Sequence, residues 1–205
     1  MAKVTLTTFL TVDGVMQGPG GPDEDTSDGF DLGGWVTPYV GDDMMRHVQG
    51  IFDRADAFLL GRTTYGLFAG HWPQVSDEED PHVAKRLNTL PKYVASRTLD
   101  HLEWQRSTLL GGDVIDAVRK LKEQPGREIQ VHGSRLLAQS LMAHDLIDEY
   151  NLFVFPVLLG KGKRLFADGT LPTGLRLTES SVTPESITVQ TYVPTGRPTF
   201  AEYGA

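Results

Sequence analysis

The chain has 205 residues, 40% hydrophobic and 22% charged, an ordinary globular balance and enough length for one domain with a proper core. Its formal net charge is −8 with no dense Lys/Arg block, which argues against a nucleic-acid partner or an anionic membrane surface. There is no cysteine, so disulfides, thiolate metal sites and thiol nucleophiles are excluded. The start, MAKVTLTTFL, lacks a signal-peptide layout, and no apolar run reaches membrane-spanning length, so the expected location is the cytoplasm.

Residues 3–12 alternate Val4, Leu6, Leu10 and Val12 against Thr5, Thr7 and Thr11, a strand pattern that ends at Asp13-Gly14. Residues 13–34 are rich in Gly, Pro and Asp and show no apolar period. A loop of that length inside a compact domain is characteristic of a lid or binding loop, so it is predicted to close over a ligand and to be mobile without one. Order resumes at Trp35 and Val36, and Asp42 or Asp43 is expected to cap a helix bearing Met44, Met45, Val48, Ile51 and Phe52. Residues 56–60 form an almost wholly apolar strand, as expected when both faces are covered. Gly61-Arg62-Thr63-Thr64 follows at once, offering a guanidinium and two hydroxyls suited to oxyanions. The plainer reading gives Arg62 a surface carboxylate and makes Thr63 only an N-cap.

Asp80-Pro81 opens a further helix, with proline where its missing N–H costs nothing, and Val83, Ala84 and Leu87 form its buried stripe. Residues 92–95 are a strand running into Ser96-Arg97-Thr98, again a hydroxyl and a guanidinium at a strand end. Residues 108–110 are a short strand, after which Asp113 caps a helix carrying Val114, Val118 and Leu121, with Asp116 completing a capping-box-like start. Residues 129–132 read as a buried strand. Gly133 turns the chain, Ser134 stands at an N-cap position, and Leu136, Leu137, Ser140 and Leu141 follow at helical spacing. A strand over 150–155, closed by Pro156, completes a βαβ-like unit whose junction aims N–H groups and a positive dipole end at one point. An anion, such as a phosphate, suits that point.

Residues 158–163 are a glycine-punctuated loop. Residues 175–181 and 187–193 alternate as an antiparallel pair, and residues 199–203 are expected to add a last edge. The fold class is therefore α/β: one domain with a mixed, mostly parallel sheet, C-terminal antiparallel strands and helices on both faces. Three strand ends with oxyanion-binding residues would share one edge of that sheet.

The dinucleotide fingerprint G-x-G-x-x-G is missing after the first strand, because Gly18-Pro19-Gly20-Gly21 lies well past it. The Walker spacing is missing from GKGKR, and no serine sits in a G-x-S-x-G elbow. Six histidines are scattered singly, so no metal site is expected.

The elements T-V-D-G, LLGRTTY, VASRT, QVHGSRLL and FPVLLGKGKRLF, spread over residues 3–166, carry a resemblance. In that order they resemble the dihydrofolate reductase superfamily, most closely the branch shared with the reductase domain of riboflavin biosynthesis (RibD C-terminal domain-like). The resemblance implies a dihydrofolate reductase-like fold and an NADPH-dependent oxidoreductase, similar to 5-amino-6-(5-phosphoribosylamino)uracil reductase. It would place Gly61, Arg62, Thr63 and Thr64 along the NADPH phosphates and Ser96 and Arg97 at the adenosine 2′-phosphate. Gly133, Ser134, Arg135 and Leu136 would wrap the pyrophosphate, and Trp35 would border the nicotinamide or serve as a plain core aromatic.

Asp13 and His132 match positions facing the substrate, and a proton would come from one of them or from a water they position. His132 stands where an acidic residue is more usual, and Ser134 where dihydrofolate reductases carry a second glycine. A dihydrofolate substrate ranks below a ribosylamino-pyrimidine or related C=N or C=O compound. A non-catalytic nucleotide-binding protein and a flavin-mediated reductase are the other readings. The resemblance also implies a homodimer built on the region after Asp148, with a small-molecule substrate and neither nucleic-acid nor membrane partners.

Overall fold

The computed structural model describes residues 1–204. One eight-stranded sheet runs through the molecule in the order β4-β3-β2-β5-β1-β6-β8-β7. Its strands are β1 (Lys3–Thr11), β2 (Ala55–Gly61), β3 (Lys92–Ala95), β4 (Ser107–Leu110), β5 (Glu128–His132), β6 (Glu149–Phe155), β7 (Gly174–Val182) and β8 (Thr188–Gly196). The first six are mutually parallel, and the β7–β8 hairpin joins β6 antiparallel through β8. The expected mixed sheet with late antiparallel strands is thus present.

Alternation along β1 explains its central place. Val4, Leu6 and Leu10 pack with Ile129, Val131 and Leu152 beneath α4 (Val114–Glu123) and α5 (Arg135–Met142). On the other face, α1 (Asp42–Phe52) lays Met44 and Ile51 on Phe153, Phe155, Ile187 and Val189. Phe52 joins Tyr65 of α2 (Arg62–His71) and Val83 and Leu87 of α3 (Val83–Thr89) over Phe58, Leu60 and Val94. Helices therefore cover both faces, as expected, and each fully buried Leu or Phe contributes about 1.5–3 kcal/mol by leaving water.

Several local expectations change. Gly41, not Asp42 or Asp43, is the N-cap of α1; the two carboxylates lie in its first turn, and Asp43 pairs with Arg46. Asp113 does cap α4, accepting from the N–H groups of Ile115 (2.9 Å) and Asp116 (3.3 Å), but Asp116 meets Arg119 instead of reaching back. Asp80 closes the start of α3 by accepting from Val83 N–H at 2.7 Å. Leu136 is 70% exposed, and the buried stripe of α5 is Leu137, Ala138, Leu141 and Met142. Leu136 and Ser140, four residues apart, share the exposed side of the helix. Residues 199–203 form no strand, because β7 and not the tail occupies the sheet edge.

The segment 13–34 is not the loose lid its composition suggests. Gln17, only 4% exposed, donates through Nε2 to the carbonyls of Asp25 (3.2 Å) and Ser27 (3.0 Å) and accepts from Lys163 N–H at 3.0 Å. Its carbonyl accepts from Trp35 Nε1 at 2.8 Å, and Lys163 Nζ reaches Asp25 at 2.8 Å. One buried amide thus joins the segment to the glycine loop before Phe166. Gln17→Leu deletes three of these bonds, whose partners are half-buried or exposed, at about 0.5–1.5 kcal/mol for each bond lost. Limited proteolysis should leave the native segment intact and cut the variant between residues 20 and 32; equal resistance would remove Gln17 from this role.

Lys92 is wholly buried, and among the described residues no carboxylate pairs with it. Its Nζ donates to the carbonyls of Leu87 (2.6 Å) and Leu90 (3.0 Å) at the end of α3 and lies 4.4 Å from the Trp104 ring centre. Burial, with Arg106 nearby, pulls its pKa from 10.5 to about 8. The unfolded chain therefore holds a proton that the folded one has released across that window, so stability attributable to Lys92 rises from about pH 8 to about pH 10.5. Urea unfolding at pH 7.5 and 9.5 should show this rise in the native protein relative to Lys92→Met; parallel curves would refute it.

Candidate functional site

The carboxyl ends of the six parallel strands share one edge, where ligands of open α/β sheets bind. Neighbouring strands β2 and β5 each run straight into a helix there. Gly133 and Ser134 both adopt left-handed backbone, with φ of 55° and 56°, which turns the chain sharply from β5 into α5. Ser134 takes the N-cap position, and its carbonyl accepts from Ala138 N–H at 2.9 Å, but its side chain makes no bond to its own helix. Left-handed geometry diverts its Oγ to the adjoining junction, where it accepts from Gly61 N–H at 2.9 Å and donates to Thr64 Oγ1 at 2.9 Å. Gly61 is glycine because the junctions touch: a Cβ there would stand 3.3 Å from Ser134 Cβ and Oγ.

Neither α2 nor α5 has a side-chain cap, in contrast to α4 under Asp113. Two sets of unclaimed N–H groups, each at a positive dipole end, therefore lie side by side. Ala95, the residue before Ser96, pairs with Gly61 across β2 and β3, which brings the third junction alongside. Arg62 and Arg97 are exposed and Arg135 half-buried, and among the described residues none of the three meets a carboxylate. Ser96 Oγ accepts from the N–H groups of Thr98 (3.1 Å) and Leu99 (3.0 Å), holding the turn that presents Arg97. The structure thus brings Gly61, Arg62, Thr63, Thr64, Ser96, Arg97, Gly133, Ser134, Arg135 and Leu136 to one edge.

The other candidate residues are employed differently. His132 is buried, stacks on Phe52 with ring centres 4.4 Å apart, and sets Nε2 3.1 Å from Gln130 Oε1. Burial pushes its pKa down from 6.5 to about 3, so near neutrality it is the neutral imidazole and not the imidazolium acid. From it a buried polar chain continues through Gln130 to Glu128 (2.8 Å) and out to Arg54 (2.6 Å). Asp13 accepts from Thr11 Oγ1 (2.6 Å), Gly160 N–H (2.8 Å) and Leu159 N–H (3.2 Å). Burial alone would raise its pKa, but those bonds together hold it below the usual carboxylate range. As an ionised acceptor it clamps the first strand end to the glycine loop and is in the wrong form to donate. Trp35 is a core aromatic, edge-on to Phe155 at 5.4 Å, whose Nε1 anchors Gln17.

Sequence reasoning missed Gln17, Lys163 and Arg164, which donates from Nε to the Asp13 carbonyl at 2.9 Å. No spacing rule could have found them, because the bonds that join the two segments, Lys163 to Gln17 and Arg164 to Asp13, span more than 140 residues.

Comparisons with known proteins bear on this edge. The uncharacterized protein YyaP of Bacillus subtilis (strain 168) is 33% identical over 120 residues, which is 57% of this chain and 62% of that protein, less than two thirds of its length. A diaminohydroxyphosphoribosylaminopyrimidine deaminase/5-amino-6-(5-phosphoribosylamino)uracil reductase from Thermotoga maritima shares the fold with a TM-score of 0.62 at 16% identity, over 94% of this chain and 56% of that one. Dihydrofolate reductase from Enterococcus faecalis, complexed with NADP(H), superposes with a TM-score of 0.59 at 13% identity, over 94% of this chain and 96% of that one. The model of the RibD C-terminal domain matches residues 2–189, nearly the whole sheet with both uncapped junctions, and the chain belongs to that family.

Proposed function

We propose that this protein is an NADPH-dependent reductase that delivers hydride to a C=N or C=O bond of a small heterocycle, a ribosylamino-pyrimidine or a close relative. The observation that carries this reading is the meeting of two uncapped helix starts, α2 and α5, flanked by the guanidinium groups of Arg62, Arg97 and Arg135, which meet no carboxylate among the described residues. Their donors suit a dinucleotide's phosphates: N–H groups of residues 62–64 and 135–137 toward the pyrophosphate, and Arg97 toward a 2′-phosphate. When bound, NADPH supplies the hydride; the chain's part is to hold it in register with the acceptor carbon. With His132 neutral and enclosed and Asp13 ionised, the proton reaches the acceptor atom from water at the strand edge.

A dihydrofolate substrate fits less well, because Asp43 is occupied by Arg46 and Asp42 is exposed at the helix start. The second reading is a nucleotide-binding protein without turnover, favoured by the lack of a protonated acid among the candidate residues. Calorimetric titration with NADPH and NADH, followed by NADPH consumption against pyrimidines, pterins and quinones, separates them. Binding with turnover supports the reductase, binding without turnover supports the second reading, and no binding removes both.

Self-association belongs to the same proposal. β7 is a nine-residue edge strand with Leu175, Leu177 and Val182 exposed, an open template that soluble proteins seldom leave bare. A two-fold dimer using this patch on both subunits is expected. Light scattering at micromolar concentration should give twice the chain mass; the monomer mass would refute it.

A further inference from the structure

We infer that Ser134 is a positioning residue of this site: it acts through Thr64, directing the Thr64 hydroxyl at a bound phosphate, and is not itself a phosphate ligand. The inference rests on the reductase reading and adds how one residue serves it. Its backbone is left-handed, a conformation that strains a side chain other than glycine, and strain of this kind concentrates at functional sites. Yet the hydroxyl so displaced does nothing for the helix it begins.

Hydrogen-bond accounting supplies the rest. Gly61 N–H can only donate, so it engages Ser134 Oγ as acceptor. A hydroxyl that accepts one bond donates the next more strongly, and the proton of Ser134 goes to Thr64 Oγ1. Thr64 then accepts from Ser134 and must place its own proton elsewhere, and among the described residues no atom receives it. Its Oγ1 lies 3.6 Å from where a Cβ on Gly133 would stand, beside the turn between the two helix starts. A phosphate oxygen held by those helix starts is the acceptor the chain does not supply. The ordered run is Gly61 N–H to Ser134 O–H to Thr64 O–H to ligand.

A double-mutant cycle tests it, with Kd read by calorimetry for both NADPH and inorganic pyrophosphate. Ser134→Gly suits the left-handed backbone and relieves its strain, so the apo variant should fold with little change in Tm. Ser134→Gly and Thr64→Val should each weaken both probes about tenfold, and the double variant should lose no more than the worse single one. Thr64→Ser, which keeps the hydroxyl, should retain native affinity. Additive losses would make Ser134 an independent ligand and overturn the relay, as would a Ser134→Gly variant that loses thermal stability while its Kd values stay native. A native protein that takes pyrophosphate but neither dinucleotide would refute the reductase reading, and the pyrophosphate cycle would still decide the role of Ser134. Uptake of neither probe would refute both.

Discussion

Acidification from pH 7 to pH 4 should cost the fold on the order of 3 kcal/mol through His132 alone. Burial lowers the folded pKa of this imidazole from 6.5 to about 3. Below pH 6.5 the unfolded chain takes up a proton that the folded chain refuses, so the stability is fully present above that pH and drains away as pH falls toward 3. No carboxylate compensates, because the ring lies flat on Phe52 and its Nε2 meets the neutral amide of Gln130. His132→Phe keeps an aromatic ring against Phe52 and removes the titration. Urea midpoints at pH 7.5, 5.5 and 4 should fall more steeply in the native protein than in the variant, whose neutral-pH stability is lowered by the orphaned Gln130 carbonyl. Identical slopes would show that the ring is protonated in the folded state.

Arg97→Ala should weaken NADPH binding by about 1.5–3 kcal/mol, roughly ten- to a hundredfold, and leave NADH binding nearly unchanged. Arg97 follows the end of β3, beside the β2 junction, on a turn held by Ser96, and no carboxylate of the described residues competes for it. Its guanidinium makes no hydrogen bond or ion pair with the described residues, so Tm should not move, and the change should appear only toward a ligand carrying the extra phosphate. Calorimetric titration of both cofactors against native and variant protein checks this. An unchanged NADPH/NADH ratio would remove Arg97 from the 2′-phosphate role and leave Arg62 or Arg135 as the next candidates.

Much of this protein was legible in its sequence because the relevant physics is local. Alternation marked β1 and the late hairpin, apolar runs marked the doubly covered strands, and Asp113 announced its helix through a bond within three residues. Glycine junctions at 61 and 133 stood out because close approach and left-handed backbone tolerate few other residues. Their meeting at one edge, however, depends on β2 lying beside β5, and strand order is a property of the sheet.

The tertiary structure decided the roles of the polar residues. Ser134 had the composition of an N-cap and became a bridge because its backbone turned left-handed against Gly61. Histidine at 132 had the right intrinsic pKa for proton transfer, but burial keeps the ring neutral. Asp13 became a clamp because two N–H groups from the glycine loop, about 150 residues later, converge on its carboxylate. A loop rich in Gly, Pro and Asp was held in place by the buried amide of Gln17 together with the Lys163–Asp25 ion pair. Element type follows from short-range pattern, whereas protonation, strain and anchoring follow from which distant groups arrive within about 3 Å, and only the folded chain determines that.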